Sequence, residues 1–382
     1  MMAEDQRHIL KGRKRIIVKL GSMVLAAPGG GVDQDFLNRL ADEMAAMNGD
    51  RDFIIVSSGA ILMGMEAMGY RDASRTMEVK QALAAVGQSR LVQAYADAFA
   101  RNGKRVGQVL LTREGLENRR RFVLSRNTLE ALLKMNAVPV INENDTVAVE
   151  EIRYGDNDLL ASMVVNLADA DMLILLTMTE GLFDMDPRLG EGKLVEVVEE
   201  VDSHIESMAG GPGVAGSGGM SSKVLAAKRT AHMGVPTVIA DGRKEGVLAG
   251  VLNGDLVGTL FLPSAEKLAS RKHWIAYSSG RPRGTLIIDK GASKALQKLK
   301  KSLLPAGVME VLGDFDPGSM IRCMDVGGRE IARGVTCFSS DQIRMIMGRH
   351  SEEIESVLGS CPGEEVIHRD DLVISMNQKE EG

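Results

Sequence analysis

The pattern of apolar and polar positions divides the chain into two parts. Over residues 15–263, short apolar runs alternate with longer stretches in which apolar residues recur every three or four positions. The short runs are typical of buried strands, and the longer stretches are typical of amphipathic helices. Regular alternation of the two indicates β-α-β units. This part is therefore predicted to be an α/β domain with an open, mostly parallel sheet sandwiched by helices.

The same pattern places the individual elements of this domain. Strands are predicted at residues 16–20, 53–56, 106–111, 138–141, 172–177 and 235–240. Helices are predicted between Asp33, as an N-cap, and Gly49, and at residues 60–68, 77–100, 120–135, 158–167 and 222–233.

The pattern changes near residue 264. Residues 264–283 carry many Lys, Arg, Ser and Gly residues and are predicted to be a linker. Residues 284–374 are predicted to form a small β barrel with a helix or two, because short apolar runs alternate there with Gly-rich turns. Its strands are expected at residues 285–288, 308–312, 320–323, 330–335 and 365–367. The two ends of the chain, residues 1–14 and 375–382, are expected to be flexible.

Composition restricts the class of protein. The chain has 382 residues, of which 44% are hydrophobic, 26% charged and 3% aromatic, as expected of two globular domains with aliphatic cores. A net charge of −6 offers no general attraction to nucleic acid or to an anionic membrane. Three cysteines without C-x-x-C spacing argue against a disulfide framework and a structural zinc. With no signal peptide or membrane span in the sequence, we expect a cytoplasmic protein.

A glycine-rich stretch at residues 216–223, Gly-Ser-Gly-Gly-Met-Ser-Ser-Lys, has the composition of a phosphate-binding loop. Glycines let backbone N–H groups approach a polyanion, and the first turn of the following helix carries partial positive charge. The order of residues excludes a Walker A loop, because Lys223 follows two serines. A G-x-G-x-x-G pattern that begins at Gly211 contains Pro212 and does not follow a strand. A flexible surface loop is the alternative for such a stretch.

Polar residues follow several of the predicted strands, where ligands of open α/β sheets bind. Each residue alone also suits a structural role. Lys19 could extend its stem along apolar surface, Ser58 or Asn157 could cap a helix, and the cluster ending at Asp145 could be a solvated turn. Together with the glycine-rich stretch, however, they supply cations for a polyphosphate and acceptors for an ammonium group. No catalytic base is apparent, and a carboxylate nucleophile would need none.

Several motifs of the chain occur together in one known family. They are Val18-Lys19-Leu20-Gly21-Ser22, Ser58-Gly59-Ala60-Ile61, Ala84 to Leu91, Val140 to Asp145, Gly155 to Asp158, Asp186-Pro187-Arg188, Gly218 to Lys223, Ser302 to Pro305 and His368 to Asp371. With these motifs the sequence resembles the glutamate 5-kinase family, whose members phosphorylate the γ-carboxylate of glutamate with ATP. The resemblance implies an amino-acid-kinase fold, a C-terminal PUA domain and a place at the start of proline biosynthesis.

The resemblance also implies roles for individual residues. The catalytic residues would be Lys19, Lys223 and Asp158, with Asp158 orienting the two lysines. Glutamate would be bound by Ser58, Asp145 and Asn157, with Asp145 facing its ammonium group. ATP would be bound by Lys19, Gly21, Thr177, Met178, Ser217, Gly218, Gly219, Met220, Ser221, Ser222 and Lys223. Magnesium would be held mainly by ATP oxygens and water, without a dedicated protein site.

The chain departs from the family pattern at Met178, where the family usually has aspartate after Thr177. Any side-chain contact from this position to the nucleotide is therefore in doubt. Ser222 in place of the usual threonine keeps the hydroxyl group. The sequence leaves open the oligomeric state, with a dimer or tetramer expected from the family, and the strength of the expected feedback inhibition by proline. A transient contact with the reductase that uses the product is also expected.

Two other functions compete with this one. PUA domains often bind RNA, but residues 284–382 contain 12 Lys and Arg against 16 Asp and Glu, a net charge of −4. RNA readers usually carry a basic surface, so RNA binding is disfavoured. A related kinase of the same fold acting on acetylglutamate, carbamate or a nucleotide is the other alternative, although such relatives generally lack the C-terminal domain.

Overall fold

The computed structural model describes residues 6–47, 49, 51–70, 76–147, 157–185, 190, 192–210, 219–264, 282–350, 353–358 and 364–375. The chain divides into two compact units, Met1–Lys267 and Leu268–Gly382. Most of the predicted linker, residues 265–281, lies outside the described residues, as do residues 1–5 and 376–382.

The first unit is built on one sheet. Its strands are β1 (Arg15–Leu20), β2 (Asp52–Ser57), β3 (Arg105–Leu111), β4 (Ala137–Glu143), β5 (Met172–Thr177), β6 (Val197–Val198), β7 (Thr237–Asp241) and β8 (Thr259–Phe261). These eight strands, counted over the described residues, lie in the order β3-β4-β2-β1-β5-β7-β8-β6. All pairs are parallel except β7 with β8. The predicted mostly parallel sheet is confirmed.

Helices connect these strands. They are α1 (Ser22–Leu25), α2 (Gln34–Ala46), α3 (Ala60–Met68), α4 (Met77–Ala100), α5 (Arg113–Glu117), α6 (Arg119–Lys134), α7 (Asn157–Leu167), α8 (Ser203–Met208), α9 (Met220–His232) and α10 (Val247–Asn253). Helix α7 is buried along most of its length, as its apolar composition requires. None of the helices in the described residues is both long enough and apolar enough to cross a membrane.

Helices α3 and α4 cross in direct backbone contact. A Cβ atom added at Gly87 would overlap the carbonyl oxygen of Ala60, and one added at Gly64 would overlap that of Leu83. Only glycine permits so close an approach at these positions. The crossing fixes the start of α3, which follows the end of β2, against the middle of α4.

The N-terminal segment is packed from Gln6 onward, so the prediction of a flexible terminus over residues 1–14 needs correction. Residues Arg7–Leu10 form a 3-10 helix, and both Arg7 and Leu10 are buried. The guanidinium group of Arg7 donates hydrogen bonds to backbone carbonyls at Glu196, Val257 and Gly258 (2.7–2.9 Å). These carbonyls lie beside β6 and β8, so hydrogen bonds hold the N-terminal segment against that edge of the sheet.

The second unit contains a separate sheet and core. Its strands are β9 (Gly284–Ile288), β10 (Val308–Leu312), β11 (Met320–Asp325), β12 (Glu330–Val335) and β13 (Leu372–Ile374), and its helices are α11 (Lys290–Leu299), α12 (Ser340–Ile346) and α13 (Ile354–Leu358). In the described part of this unit the strand order is β10-β9-β11-β12-β13. The prediction of a strand at residues 365–367 is wrong. Ile367 makes only an isolated bridge to Leu303, and the last strand begins at Leu372.

Candidate active site

The carboxyl ends of the central strands bring most of the predicted site residues to one edge of the sheet. Lys19 is the penultimate residue of β1, and the N–H of Ser58, just after β2, donates to the carbonyl of Leu20 (3.1 Å). A Cβ atom added at Gly21 would lie 3.9 Å from Nζ of Lys19. The backbone at Gly21 is therefore close to the lysine ammonium group.

Asp158 is the centre of a buried charged cluster. It lies in the first turn of α7 and is 0% exposed, while Lys19 is 3% and Lys223 4% exposed. Oδ1 of Asp158 forms an ion pair with Nζ of Lys19, and Oδ2 lies 3.0 Å from Nζ of Lys223. Residues that are far apart in sequence, on β1, α7 and α9, thus meet at one carboxylate.

Opposite charges meet in this cluster. Burial alone would raise the pKa of Asp158, but attraction from Lys19 and Lys223 outweighs burial and lowers it to about 2. The carboxylate is thus ionised at neutral pH, and both lysines contact it. Two buried ammonium groups held at one carboxylate supply donors that suit an anionic group of a ligand.

The start of α9 adds further donors at the same place. Gly219 precedes the helix, and Lys223 lies in its first turns, so the partial positive end of the helix faces this region. Oγ of Ser222 lies 2.7 Å from Oδ2 of Asp158 and 2.8 Å from the carbonyl oxygen of Gly219. The hydroxyl proton can serve one of these acceptors at a time. Ser217 and Gly218, the remaining predicted loop residues, lie outside the described residues.

A network of side-chain amides adjoins the charged cluster. Nδ2 of Asn157 lies 2.8 Å from the carbonyl oxygen of Ser57, 3.0 Å from Oγ of Ser58 and 3.0 Å from Oδ1 of Asn142. Nδ2 of Asn142 in turn donates to Oε1 of Gln88 on α4 (2.8 Å). The structure thus brings Ser58 within hydrogen-bond distance of Asn157, the residue that precedes Asp158 in the sequence.

Asp145 follows β4 and lines a cleft of about 300 Å³ between the first half of α4 and the edge strand β3. Gln88 lines the same cleft, so the amide network reaches it from the other side. The amide network therefore links Asn157, which precedes Asp158 in the sequence, to the cleft that Asp145 lines.

Comparison with known proteins decides the family. A family model for the amino acid kinase family matches residues 14–241, and one for the PUA domain matches residues 284–358. The chain belongs to the amino acid kinase family. The α/β fold and the C-terminal PUA domain that we expected from the sequence are confirmed.

Close relatives within this family share one name. A protein named glutamate 5-kinase from Trichlorobacter lovleyi is 47% identical over 97% of this chain and 99% of its own length. Another of that name, from Citrifermentans bemidjiense, is 46% identical over 97% of this chain and 100% of its own. The resemblance to glutamate 5-kinases is thereby confirmed. A solved UMP kinase from Bacillus anthracis matches 66% of this chain and 97% of its own at 15% identity and a TM-score of 0.45, a likeness too weak to argue from.

The position at which the chain departs from the family pattern lies at the end of β5. The carbonyl oxygen of Thr177 accepts a hydrogen bond from the N–H of Gly242 (2.9 Å), so Thr177 is tied to the turn after β7. Met178 follows and is 49% exposed. An aspartate at this half-exposed position would be in contact with solvent.

Sequence reasoning did not single out Gln88, although it lies within one of the family motifs. On a helix, a glutamine among alanines resembles an ordinary surface residue, and the pattern alone gives it no role. Its neighbour Gly87 was the available signal. A glycine inside a long helix weakens it, which points to close packing at that position.

Proposed function

We propose that this protein is an ATP-dependent glutamate 5-kinase, which transfers the γ-phosphoryl group of ATP to the γ-carboxylate of L-glutamate. The products are ADP and L-glutamyl 5-phosphate, and the reaction is the first step of proline biosynthesis. The observation that carries the proposal is the buried cluster in which Lys19 and Lys223 share the carboxylate of Asp158. Similarity to glutamate 5-kinases over nearly the full chain supports glutamate as the substrate.

The cluster suits a reaction between two anions. An oxygen of the γ-carboxylate attacks the γ-phosphorus, and the bond from phosphorus to the bridging oxygen breaks, leaving its electron pair on ADP. The attacking carboxylate is already ionised at neutral pH, so no base is required. Lys19 and Lys223 stabilise the charge on the transferring phosphoryl oxygens, and Asp158 holds both ammonium groups in position.

The nucleotide enters as its magnesium complex. We assign its phosphates to Lys19, the backbone near Gly21 and the first turn of α9, with Thr177 and Met178 at the nucleotide side of the site. Among the described residues, no three His, Cys, Asp or Glu side chains are grouped to hold a metal ion. Phosphate oxygens and water suit magnesium, which keeps much of its hydration. The ion would neutralise phosphate charge when bound.

We assign glutamate to the amide network and the adjoining cleft. Ser58 and Asn157 lie beside the lysine cluster and would hold the reacting end of the substrate. Asp145 would face the ammonium group, because a carboxylate lining a cleft complements a cation. This order places the reacting carboxylate near the lysines and the amino-acid end near α4.

Hydroxamate trapping tests the proposal directly. The purified protein is supplied with ATP, magnesium and hydroxylamine, together with glutamate, acetylglutamate or carbamate in parallel. We expect γ-glutamyl hydroxamate and stoichiometric ADP with glutamate, and little product with the other two. Equal or greater turnover of acetylglutamate or carbamate would assign the protein to a related kinase and overturn the proposal.

Several finer features belong to the same proposal. The kinase domain would comprise residues 15–263 and the PUA domain residues 284–374, joined by residues 264–283. We expect a cytoplasmic homo-oligomer, feedback inhibition by proline and transient contact with the reductase that uses the acyl phosphate. Shortening of the lag in a coupled assay on addition of the reductase would support this contact, since free acyl phosphates hydrolyse readily.

A further inference from the structure

The amide network has a fixed direction of donors and acceptors. Oδ1 of Asn142 accepts hydrogen bonds from Asn157 and from the N–H of Glu143 (3.0 and 2.8 Å). The other end of this amide, Nδ2, must therefore face α4, where it donates to Oε1 of Gln88. Because Oε1 of Gln88 is used as the acceptor, its Nε2 is the donor left at the end of the network.

That last donor lacks an acceptor in the part of the chain that the structure describes. Nε2 of Gln88 is buried and has no hydrogen-bond partner among the described residues. Buried donors without partners are rare in folded proteins because each costs the free energy of desolvating the group. An acceptor that arrives with a ligand removes this cost. The rest of the network holds Nε2 in place beforehand, so little ordering remains when the acceptor binds.

The position of Gln88 identifies the group that it would bind. Gln88 and Asp145 line the same cleft, and the cleft is large enough for several heavy atoms. In an α-amino acid the ammonium and the α-carboxylate are attached to one carbon atom, so their partners must lie close together. With the ammonium assigned to Asp145 and the γ-carboxylate to the lysine cluster, the α-carboxylate is the acceptor that remains.

We propose that Nε2 of Gln88 donates a hydrogen bond to the α-carboxylate of L-glutamate and selects substrates that carry this group. The inference rests on the proposed function. The α-carboxylate keeps its charge throughout phosphoryl transfer, so the contact stabilises the bound substrate and the transition state equally. Its effect is therefore on KM for glutamate, with kcat largely unchanged.

A substrate analogue isolates the contact. 4-Aminobutyrate keeps the ammonium and the reacting carboxylate of glutamate and lacks the α-carboxylate. For Gln88→Met, we expect KM for glutamate to rise about tenfold, while kcat and KM for ATP stay within about threefold. The Ki of 4-aminobutyrate, measured as a competitive inhibitor, should stay within about twofold. The matched control is Gln93→Met on the same helix, because the amide of Gln93 donates to Asp97 at the surface.

The outcomes separate a contact from a structural role. If Gln88→Met weakens the binding of glutamate and of 4-aminobutyrate equally, Gln88 acts by supporting Asn142, and the proposal is overturned. Gln88→Glu keeps an oxygen for Asn142 and removes the donor, so it should raise KM for glutamate more than methionine does. An unchanged KM in that variant would also overturn the proposal. Failure of the wild-type protein to form γ-glutamyl hydroxamate would instead count against the proposed function as a whole.

Discussion

The two ends of the candidate site hold charge in different ways. Around Asp158, two buried lysines contact one carboxylate. Around Asn157, neutral amides bond to one another, and Nε2 of Gln88 has no partner among the described residues. In the proposed function, the charged lysines lie beside the transferring phosphoryl group, whereas the amide of Gln88 lies beside the α-carboxylate, whose charge stays constant. Removing a group from each end should therefore affect different kinetic constants.

The largest effect is expected for Asp158→Asn. Without the carboxylate, two buried ammonium groups repel each other and lose their orientation, so kcat should fall about a thousandfold, equivalent to about 4 kcal/mol. The same change leaves buried charge unpaired and should lower the free energy of unfolding by about 3–5 kcal/mol. Steady-state kinetics and urea denaturation measure the two effects. A near-normal kcat in this variant would show that the carboxylate of Asp158 does not position the two lysines for phosphoryl transfer.

The pH dependence of stability sharpens this prediction. The two lysines outweigh the opposing effect of burial and lower the pKa of Asp158 from 3.8 to about 2. A carboxyl group with a depressed pKa stabilises the fold above its unfolded pKa, and this stabilisation disappears as pH falls from about 4 towards 2. The wild-type protein should therefore lose stability over this window more steeply than Asp158→Asn. The free energy of unfolding is measured by urea denaturation at each pH. An equal loss of this free energy in both proteins as pH falls would contradict the ion pairing of Asp158 with the two lysines.

A smaller but still large effect is expected for Lys19→Met and Lys223→Met. Each removes one donor to the transferring phosphoryl group, so kcat should fall about a hundredfold, or about 3 kcal/mol of transition-state stabilisation. KM for glutamate should change little by comparison. Lys228→Met is the control, because Lys228 lies on the same helix and pairs with Glu206 at the surface. Normal kcat in both cluster variants would refute the assigned roles.

At the amino-acid end, Asp145→Asn should act on binding. The substitution keeps the shape of the side chain and removes the charge that faces the substrate ammonium. A hydrogen bond to a charged group contributes about 1.5–3 kcal/mol, so KM for glutamate should rise about ten- to a hundredfold while kcat stays close to normal. Asp97→Asn, at an exposed position on α4, provides the control. An unchanged KM for glutamate would remove Asp145 from the substrate site.

The smallest effect is expected for Ser222→Ala. Its hydroxyl group supports Asp158 from outside the ion pairs, and a single hydrogen bond of this kind contributes about 1 kcal/mol. We expect kcat to fall about fivefold. Ser222→Thr keeps the hydroxyl and should restore nearly full activity. If threonine fails to rescue the alanine variant, the contribution of Ser222 comes from packing rather than from the hydrogen bond.

The alternation of apolar runs predicted most of the first unit because its elements are local and strongly patterned. Helix Ala60–Met68 and strand Met172–Thr177 have the bounds that the sequence indicates. The prediction of a strand at residues 365–367 is wrong for a reason that the pattern of apolar residues does not show. Val366 and Ile367 are buried like strand residues, but the place beside β12 is taken by Leu372–Ile374.

The site was predictable in part, through glycines and polar residues at strand ends. Lys19, Asp158 and Lys223 could be named from motifs, whereas their common contact depends on the order of the strands in space. The buried Arg7 and the spare donor of Gln88 were beyond sequence reasoning. Both depend on partners far away along the chain, and a polar residue in a short polar segment or on a helix carries no mark of such partners.

The glycine crossing of α3 and α4 limits how this enzyme can be redesigned. With the two backbones touching at Gly64 and Gly87, α4 cannot slide along α3 to carry Gln88 nearer to or farther from Ser58. If Ser58 and Gln88 hold the two ends of glutamate as proposed, the distance between them sets the length of substrate that fits. Adapting the cleft to a longer or shorter amino acid therefore requires substitution of the side chains that line it, while α3 and α4 keep their positions.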